Sequence, residues 1–170
     1  PKPSSAAWDV YKSQTQLGEE LVTRINSSVA IKGTNLVALT LLSTDRQSIT
    51  VKDLRNQVSL LRHIASKSGF DACSIVNDPI DELIAEAIRI IGLSRAQHAF
   101  GEVIYAEAGQ TIALTYNATN ILHIYALPSL IARYIQSQNE ANADQLKKYI
   151  TQVYPYFRWD MYLPWSESDL

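Results

Sequence analysis

Three histidines, one cysteine and seventeen carboxylates are the side chains of this chain that could act as base, nucleophile or metal ligand. Their spacing supports little chemistry. Cys73 is alone, which removes any internal disulfide framework and any cysteine-based zinc site. His63, His98 and His123 are too far apart to form a metal-ligand pattern. His63 lies in Leu60-Leu61-Arg62-His63-Ile64 at helical spacing, the setting of a surface or half-buried helix residue. His98 stands in the connection before a hairpin. His123 follows Asn120 in an apolar helical segment, where a polar ring needs a hydrogen-bonding partner and would tie that helix to the hairpin. Asp78, Asp81 and Glu82 are explained by the favourable field at a helix start, and Glu19 and Glu20 similarly. There is no Gly-x-Ser-x-Gly elbow. The six glycines are scattered and make no phosphate loop, so no cofactor is expected. By residue chemistry alone, the chain reads as a helical, non-catalytic module.

Composition narrows the class further. The chain has 170 residues, 46% apolar and 19% charged, with a net charge of -2. This is globular rather than disordered. A near-neutral balance speaks against nucleic-acid binding, which needs a cationic face. The longest largely apolar stretch, Ile121 to Ala132, contains His123, Pro128 and Ser129. It is too short for a membrane span, which takes about 20 apolar residues. Residue 1 is Pro and the only Met is Met161, so the chain is expected to be processed or cut from a longer protein.

The elements follow from periodicity. Residues 1–16 read as a lead-in. Leu17, Leu21, Ile25 and Val29 form a stripe expected to face a core. Gly33 should interrupt this helix, and Thr34 should cap a second one, Asn35 to Ser43, apolar on most sides. Ile49 reads as a short extended stretch. Thr50-Val-Lys-Asp53 has capping-box spacing for a helix carrying Leu54, Val58, Leu61 and Ile64. Asp78-Pro79 starts the next helix, which Gly92 should close. Val103 and Tyr105 alternate, Glu107-Ala-Gly-Gln110 reads as a turn, and Thr111 to Tyr116 reads as the returning strand. Helix resumes after Asn120, to about Gln136, with Pro128 expected to kink it or mark its break. After a polar linker, 137–143, a last helix from Asp144 should end at Pro155. The aromatic tail, Tyr156 to Trp165, is expected to pack on the body.

The fold class is therefore mainly α with a small β-hairpin: a winged-helix-like helical core, 17–117, plus C-terminal helices, 118–170, together one compact domain. A winged helix usually binds DNA through the helix before its hairpin. Here that helix carries Asp81, Glu82 and Glu86 against one Arg89, which repels phosphates.

One stretch is similar to a known family. Leu114-Thr-Tyr-Asn-Ala-Thr-Asn-Ile-Leu-His-Ile-Tyr-Ala-Leu-Pro-Ser-Leu-Ile-Ala132 resembles the C-terminal region of the bacterial membrane-bound glycerol-3-phosphate acyltransferases. The match keeps Thr115, Tyr116, Asn120, Ile121, His123, Leu127, Pro128, Ser129 and Leu130. Arg24-Ile-Asn26, Asn35-Leu36, Leu41-Leu42, Ser48-Ile-Thr50 and Leu54 look like the upstream part of the same region. Tyr154-Pro155, Trp165 and Asp169-Leu170 look like its end, so the resemblance runs from about Leu17 to Leu170. The family's usual Tyr-Arg-Asn is replaced by Asn117-Ala118-Thr119, which removes its arginine.

The resemblance implies a parent enzyme that acylates sn-glycerol 3-phosphate from acyl-CoA or acyl carrier protein. The product is lysophosphatidate, at the cytoplasmic face of the inner membrane. The family's His-x-x-x-x-Asp site is absent: the positions five after His63, His98 and His123 are Ser68, Val103 and Pro128. It is expected upstream of Pro1. Tyr116, Asn120, His123, Pro128 and Ser129 are then structural or interface positions. The implied partners are the upstream acyltransferase domain of the same polypeptide and, through the parent, the membrane surface. A winged-helix regulator or DNA-binding module and a stand-alone scaffold or dimerisation domain are the alternatives.

Overall fold

A computed structural model describes residues 5–70, 73–138 and 142–169, with side chains described from Lys12 onward except Glu167. The lead-in residues 1–4, the middle of the polar linker and Leu170 lie outside the described residues. In chain order the elements are α1 (Ser5–Ser27), β1 (Ala30–Ile31), α2 (Gly33–Leu42), β2 (Ser48–Thr50), α3 (Val51–Ala65), β3 (Ser74–Ile75) and α4 (Ile80–Ile91). They continue with β4 (Ser94–His98), β5 (Gly101–Tyr105), α5 (Thr111–Thr119), α6 (Ala126–Ser137) and α7 (Ala143–Met161). The chain divides into two compact units, Val29–Ser129 and the pair Pro1–Ser28 with Leu130–Leu170.

The Val29–Ser129 unit is built around α2. Leu36, Val37, Ala38 and Leu41 are all within 1% of complete burial, because α3, α4 and α5 each pack on a side of this helix. Leu54 and Val58 of α3, Leu83 and Ala87 of α4, and Leu114 of α5 supply the surrounding layer. Each such aliphatic gains about 1.5–3 kcal/mol on burial. The sheet has the order β2-β5-β4, with both pairings antiparallel. Helix, strand, two helices and a hairpin, with the first strand on the last, is the winged-helix arrangement. The protein is thus mainly α with a small sheet. A two-residue parallel pairing of β1 with β3 has no counterpart in the sequence pattern.

Local signals explain several boundaries. The Thr50 hydroxyl accepts from the Asp53 backbone N–H at 3.1 Å and caps α3. Asp81 and Glu82 occupy the first turn of α4, and Gly92 ends it in a left-handed conformation, φ 79°. Gly33 does not merely interrupt a helix. It starts α2 where a Cβ would stand 2.6 Å from the Leu83 carbonyl oxygen, so α2 and α4 approach closely only through glycine.

Several expectations are corrected. Residues 111–116 are helix, not strand, and the hairpin turns at Ala99-Phe100 instead of Glu107–Gln110. Glu107 and Gln110 form a capping box, with the Glu107 N–H donating to Gln110 Oε1 at 2.8 Å, and Leu114 and Ala118 then bury at helical spacing. This packing overrides the β-propensity of Thr, Ile and Tyr. Asn35, not Thr34, secures the start of α2, accepting from the Lys32 N–H at 2.9 Å. Pro128 lies in the first turn of α6, where its missing N–H would have had no intrahelical partner, so it does not break the helix. Pro155 sits inside α7, which runs on until Tyr162 turns left-handed. Helix begins at Ser5, so residues 5–16 are not a loose lead-in.

In the other unit, Tyr154 is fully buried and its hydroxyl donates to the Trp165 carbonyl at 3.0 Å. Tyr134 donates to Gln145 Oε1 at 3.3 Å and packs against the Tyr149 ring. Asn26 of α1 donates to the Met161 carbonyl at 2.8 Å. The expected core stripe of α1 faces outward instead: Leu17, Leu21 and Ile25 are 60%, 52% and 66% exposed. Val22, Thr23 and Asn26 are the half-buried side of that helix. The aromatic tail divides likewise, since Tyr156 and Trp159 are exposed while Tyr154 and Leu163 are buried.

The two glycine environments make opposite predictions. Gly33→Ala should lower stability by about 1–3 kcal/mol through overpacking. Gly18→Ala, in open space within α1, should raise it by roughly 0.5–1 kcal/mol. Urea unfolding of both variants checks this; a neutral Gly33→Ala would refute the close approach of α2 to α4.

Candidate functional site

The segment from Leu114 to Ser129 carries the residues singled out by the sequence, and the fold separates them. Tyr116 is on the outer face of α5, 69% exposed. Asn120 caps the end of that helix and is exposed. His123 is buried in a 3₁₀ turn, Leu122–Tyr125. Its ring meets Phe70 edge-on, with centroids 5.4 Å apart and planes at 81°. Pro128 is half-buried and Ser129 exposed. These five do not converge on one pocket.

Hydrogen bonds and packing fix the segment from several sides. Asn35 Nδ2 donates to the Asn117 carbonyl at 2.9 Å, joining the start of α2 to α5. The Asn117 amide turns inward along its own helix and donates to the Ala113 carbonyl at 2.8 Å. The Tyr125 hydroxyl donates to the Leu61 carbonyl of α3 at 3.0 Å. Leu114, Ala118, Ile121 and Ile124 fill the space between these ties. Sequence reasoning missed Asn35 and Tyr125. Only the fold reveals their partners, which lie 82 and 64 residues away.

His63 and Cys73 do meet at a surface feature. Ser59, Arg62, His63 and Ser66, one face of α3, oppose Cys73, Ile75 and Asn77 across an open cleft of about 510 Å³. None of these lining residues is a carboxylate that could orient His63 as a general base. Arg62 donates to the Asp78 carbonyl at 2.9 Å. Burial pushes the Cys73 thiol above its ordinary value of 9.0, and its Sγ–H donates to the Val29 carbonyl at 3.0 Å. A thiol held neutral in this way is a poor nucleophile. Burial, reinforced by Cys73, likewise pushes the Tyr125 hydroxyl well above the usual phenol range.

Several charged groups form surface pairs. Asp81 pairs with Arg55 at 2.6 Å, Glu20 with Arg24 at 2.8 Å, and Glu102 with Arg95 at 3.1 Å. Among the described residues, no group of three or more His, Cys, Asp and Glu could hold a metal ion. Among them too, no helix is long and apolar enough to cross a membrane. His98 ends β4, opposite Gly101, instead of preceding the hairpin, and its ring stacks on Phe100.

Comparison with known proteins decides the family. The model of the glycerol-3-phosphate acyltransferase C-terminal region matches residues 1–170, the whole chain. The chain belongs to that family. It is 28% identical to the glycerol-3-phosphate acyltransferase of Pseudomonas fluorescens (strain SBW25), over 96% of this chain and 20% of the relative. The acyltransferase of Pseudomonas putida (strain W619) is 30% identical over the same shares. That of Pseudomonas aeruginosa (strain LESB58) is 30% identical over 91% of this chain and 19% of the relative. The acyltransferase C-terminal region described here therefore spans about a fifth of the length of the curated relatives it matches.

The Cys73 and Tyr125 environments predict an alkaline limit. Both folded-state values are raised, so the neutral forms stabilise the acyltransferase C-terminal region. That contribution is complete below the ordinary thiol and phenol values. It is lost as pH rises through the folded ones. Tm should hold near neutral pH and fall above roughly pH 9. A Cys73→Ser, Tyr125→Phe variant should show a smaller fall, after losing about 1 kcal/mol at neutral pH with the Tyr125 hydrogen bond. An equally steep fall in the variant would assign the alkaline limit to other groups.

Proposed function

We propose that this chain is the non-catalytic, C-terminal accessory region of a glycerol-3-phosphate 1-O-acyltransferase. The carrying observation is that the family match takes in all of residues 1–170, yet corresponds to only about a fifth of each relative. The absence of a His-x-x-x-x-Asp pattern supports the same reading.

In the parent, chemistry takes place upstream. A histidine removes the proton from the 1-hydroxyl of sn-glycerol 3-phosphate. That oxygen attacks the thioester carbonyl of acyl-CoA or acyl carrier protein. The new C–O ester bond forms, the C–S bond breaks, and the proton passes to the departing thiolate. Lysophosphatidate results, in phospholipid synthesis at the cytoplasmic face of the inner membrane.

The present chain supports that machinery by packing on it. His123, beside Phe70, and Pro128, in the first turn of α6, serve the fold. Tyr116, Asn120 and Ser129, which are exposed, serve contacts beyond it. Asn117-Ala118-Thr119 places no charge on α5, so recognition through that stretch is by shape and hydrogen bonding. The acidic outer residues of α4, Asp81, Glu82 and Glu86, favour this reading over a nucleic-acid-binding winged helix.

The test is complementation. The upstream portion, expressed without this region, should lose at least about 90% of its glycerol 3-phosphate acylation, more than tenfold, about 1.4 kcal/mol of transition-state stabilisation. Adding the purified 170-residue chain should restore activity, and that chain alone should show no turnover. Turnover by the chain alone, or full activity of the upstream portion without it, would reject the proposal.

A further inference from the structure

We propose that the outward face of α1, formed by Leu17, Leu21 and Ile25, is the seat on which the remainder of the acyltransferase polypeptide docks. This rests on the reading above, that the chain is part of a longer acyltransferase. It adds which surface makes the contact.

The three side chains recur every four residues, so they form one stripe along the helix. All three are more than half exposed. The opposite side of α1 is already occupied within its own unit. Asn26 donates to the Met161 carbonyl there, and Glu19 and Thr23 line a groove of about 160 Å³ with Arg158, Trp159, Tyr162 and Leu163. Half-buried Val22, Thr23 and Asn26 thus face inward while the larger aliphatic Leu17, Leu21 and Ile25 face water. That inversion costs stability in isolation and is relieved when an apolar partner covers the stripe.

The partner's nature follows from size and charge. Three side chains on one helix fall far short of the roughly 800 Å² per partner that a stable two-chain interface buries. A tethered partner needs much less area, because the linkage holds it at an effective concentration of about millimolar or above. The relatives carry about four fifths of their length outside the matched region, which supplies such a tethered partner. A lipid surface fits poorly. Its neighbours Glu20 and Arg24 neutralise each other at 2.8 Å, whereas interfacial helices present a Lys- and Arg-rich polar face.

A labelling experiment tests this in a Cys73→Ser background with Leu21→Cys as the probe. Maleimide modification at position 21, followed by peptide mass, is compared in the 170-residue chain and in the full-length polypeptide. The proposal expects modification at least about tenfold slower in the full-length polypeptide, the protection of a site covered most of the time. Equal rates overturn it. So does slow labelling of the 170-residue chain together with a dimer in sedimentation, which would give the face to a second copy. Slowing only with vesicles of phosphatidylethanolamine and phosphatidylglycerol overturns it in favour of lipid. Glycerol 3-phosphate acylation by the same full-length variant is read separately. Its absence from the unmodified polypeptide would reject the acyltransferase reading, while the labelling ratio still decides whether α1 is covered.

Discussion

The burial of α2 on nearly every side is the constraint on which the Val29–Ser129 unit depends. A ten-residue helix with apolar residues on nearly every side cannot rest on a surface. It must be surrounded, and α3, α4 and α5 surround it. Gly33 lets α4 come close enough to close one side. Thr40 shows how the few polar groups are accommodated: its hydroxyl donates to the Leu36 carbonyl at 2.9 Å within the same helix. The three-stranded sheet then covers the edge of this bundle, with Ile104 fully buried beneath it.

That constraint explains why the residues of the most distinctive stretch are separated instead of gathered at one pocket. Leu114, Ala118, Ile121 and Ile124 are committed to the core around α2 and α3. Thr115, Asn117 and Thr119 among them donate to backbone carbonyls of their own helix. Asn35 and Tyr125 each spend their side-chain hydrogen bonds on distant carbonyls. The cleft that gathers His63 and Cys73 has no carboxylate among its lining residues, and its thiol is held neutral. Large apolar side chains left exposed include Leu17, Leu21 and Ile25 on α1 and Ile112 with Tyr116 on α5, each in its own unit.

Much of this was legible in the residues. The apolar helix Asn35 to Ser43, the Thr50 cap, the Asp78-Pro79 start and the Gly92 stop are local signals. They depend on backbone geometry and on neighbours three or four positions away. The winged-helix arrangement followed from their order, and the resemblance from Leu114 to Ala132 carried the family. The site residues were harder. His123 was legible as a buried ring needing a partner, but Phe70 is 53 residues earlier and no spacing rule connects them.

Where the sequence misled, a local preference met a stronger tertiary force. Thr111 to Tyr116 has the composition of a strand, yet burying Leu114 and Ala118 against α2 requires the helical period. Pro128 and Pro155 read as breaks, but neither stops its helix. Pro128 falls in a first turn, and α7 continues past Pro155 with Tyr154 locked into the body. The α1 stripe is the clearest case. Periodicity established that Leu17, Leu21 and Ile25 share a face, because helix geometry alone dictates it. Which way that face points was decided by tertiary structure, because the side of α1 that packs is chosen by complementary partners such as the Met161 carbonyl, and these exist only after the chain has folded.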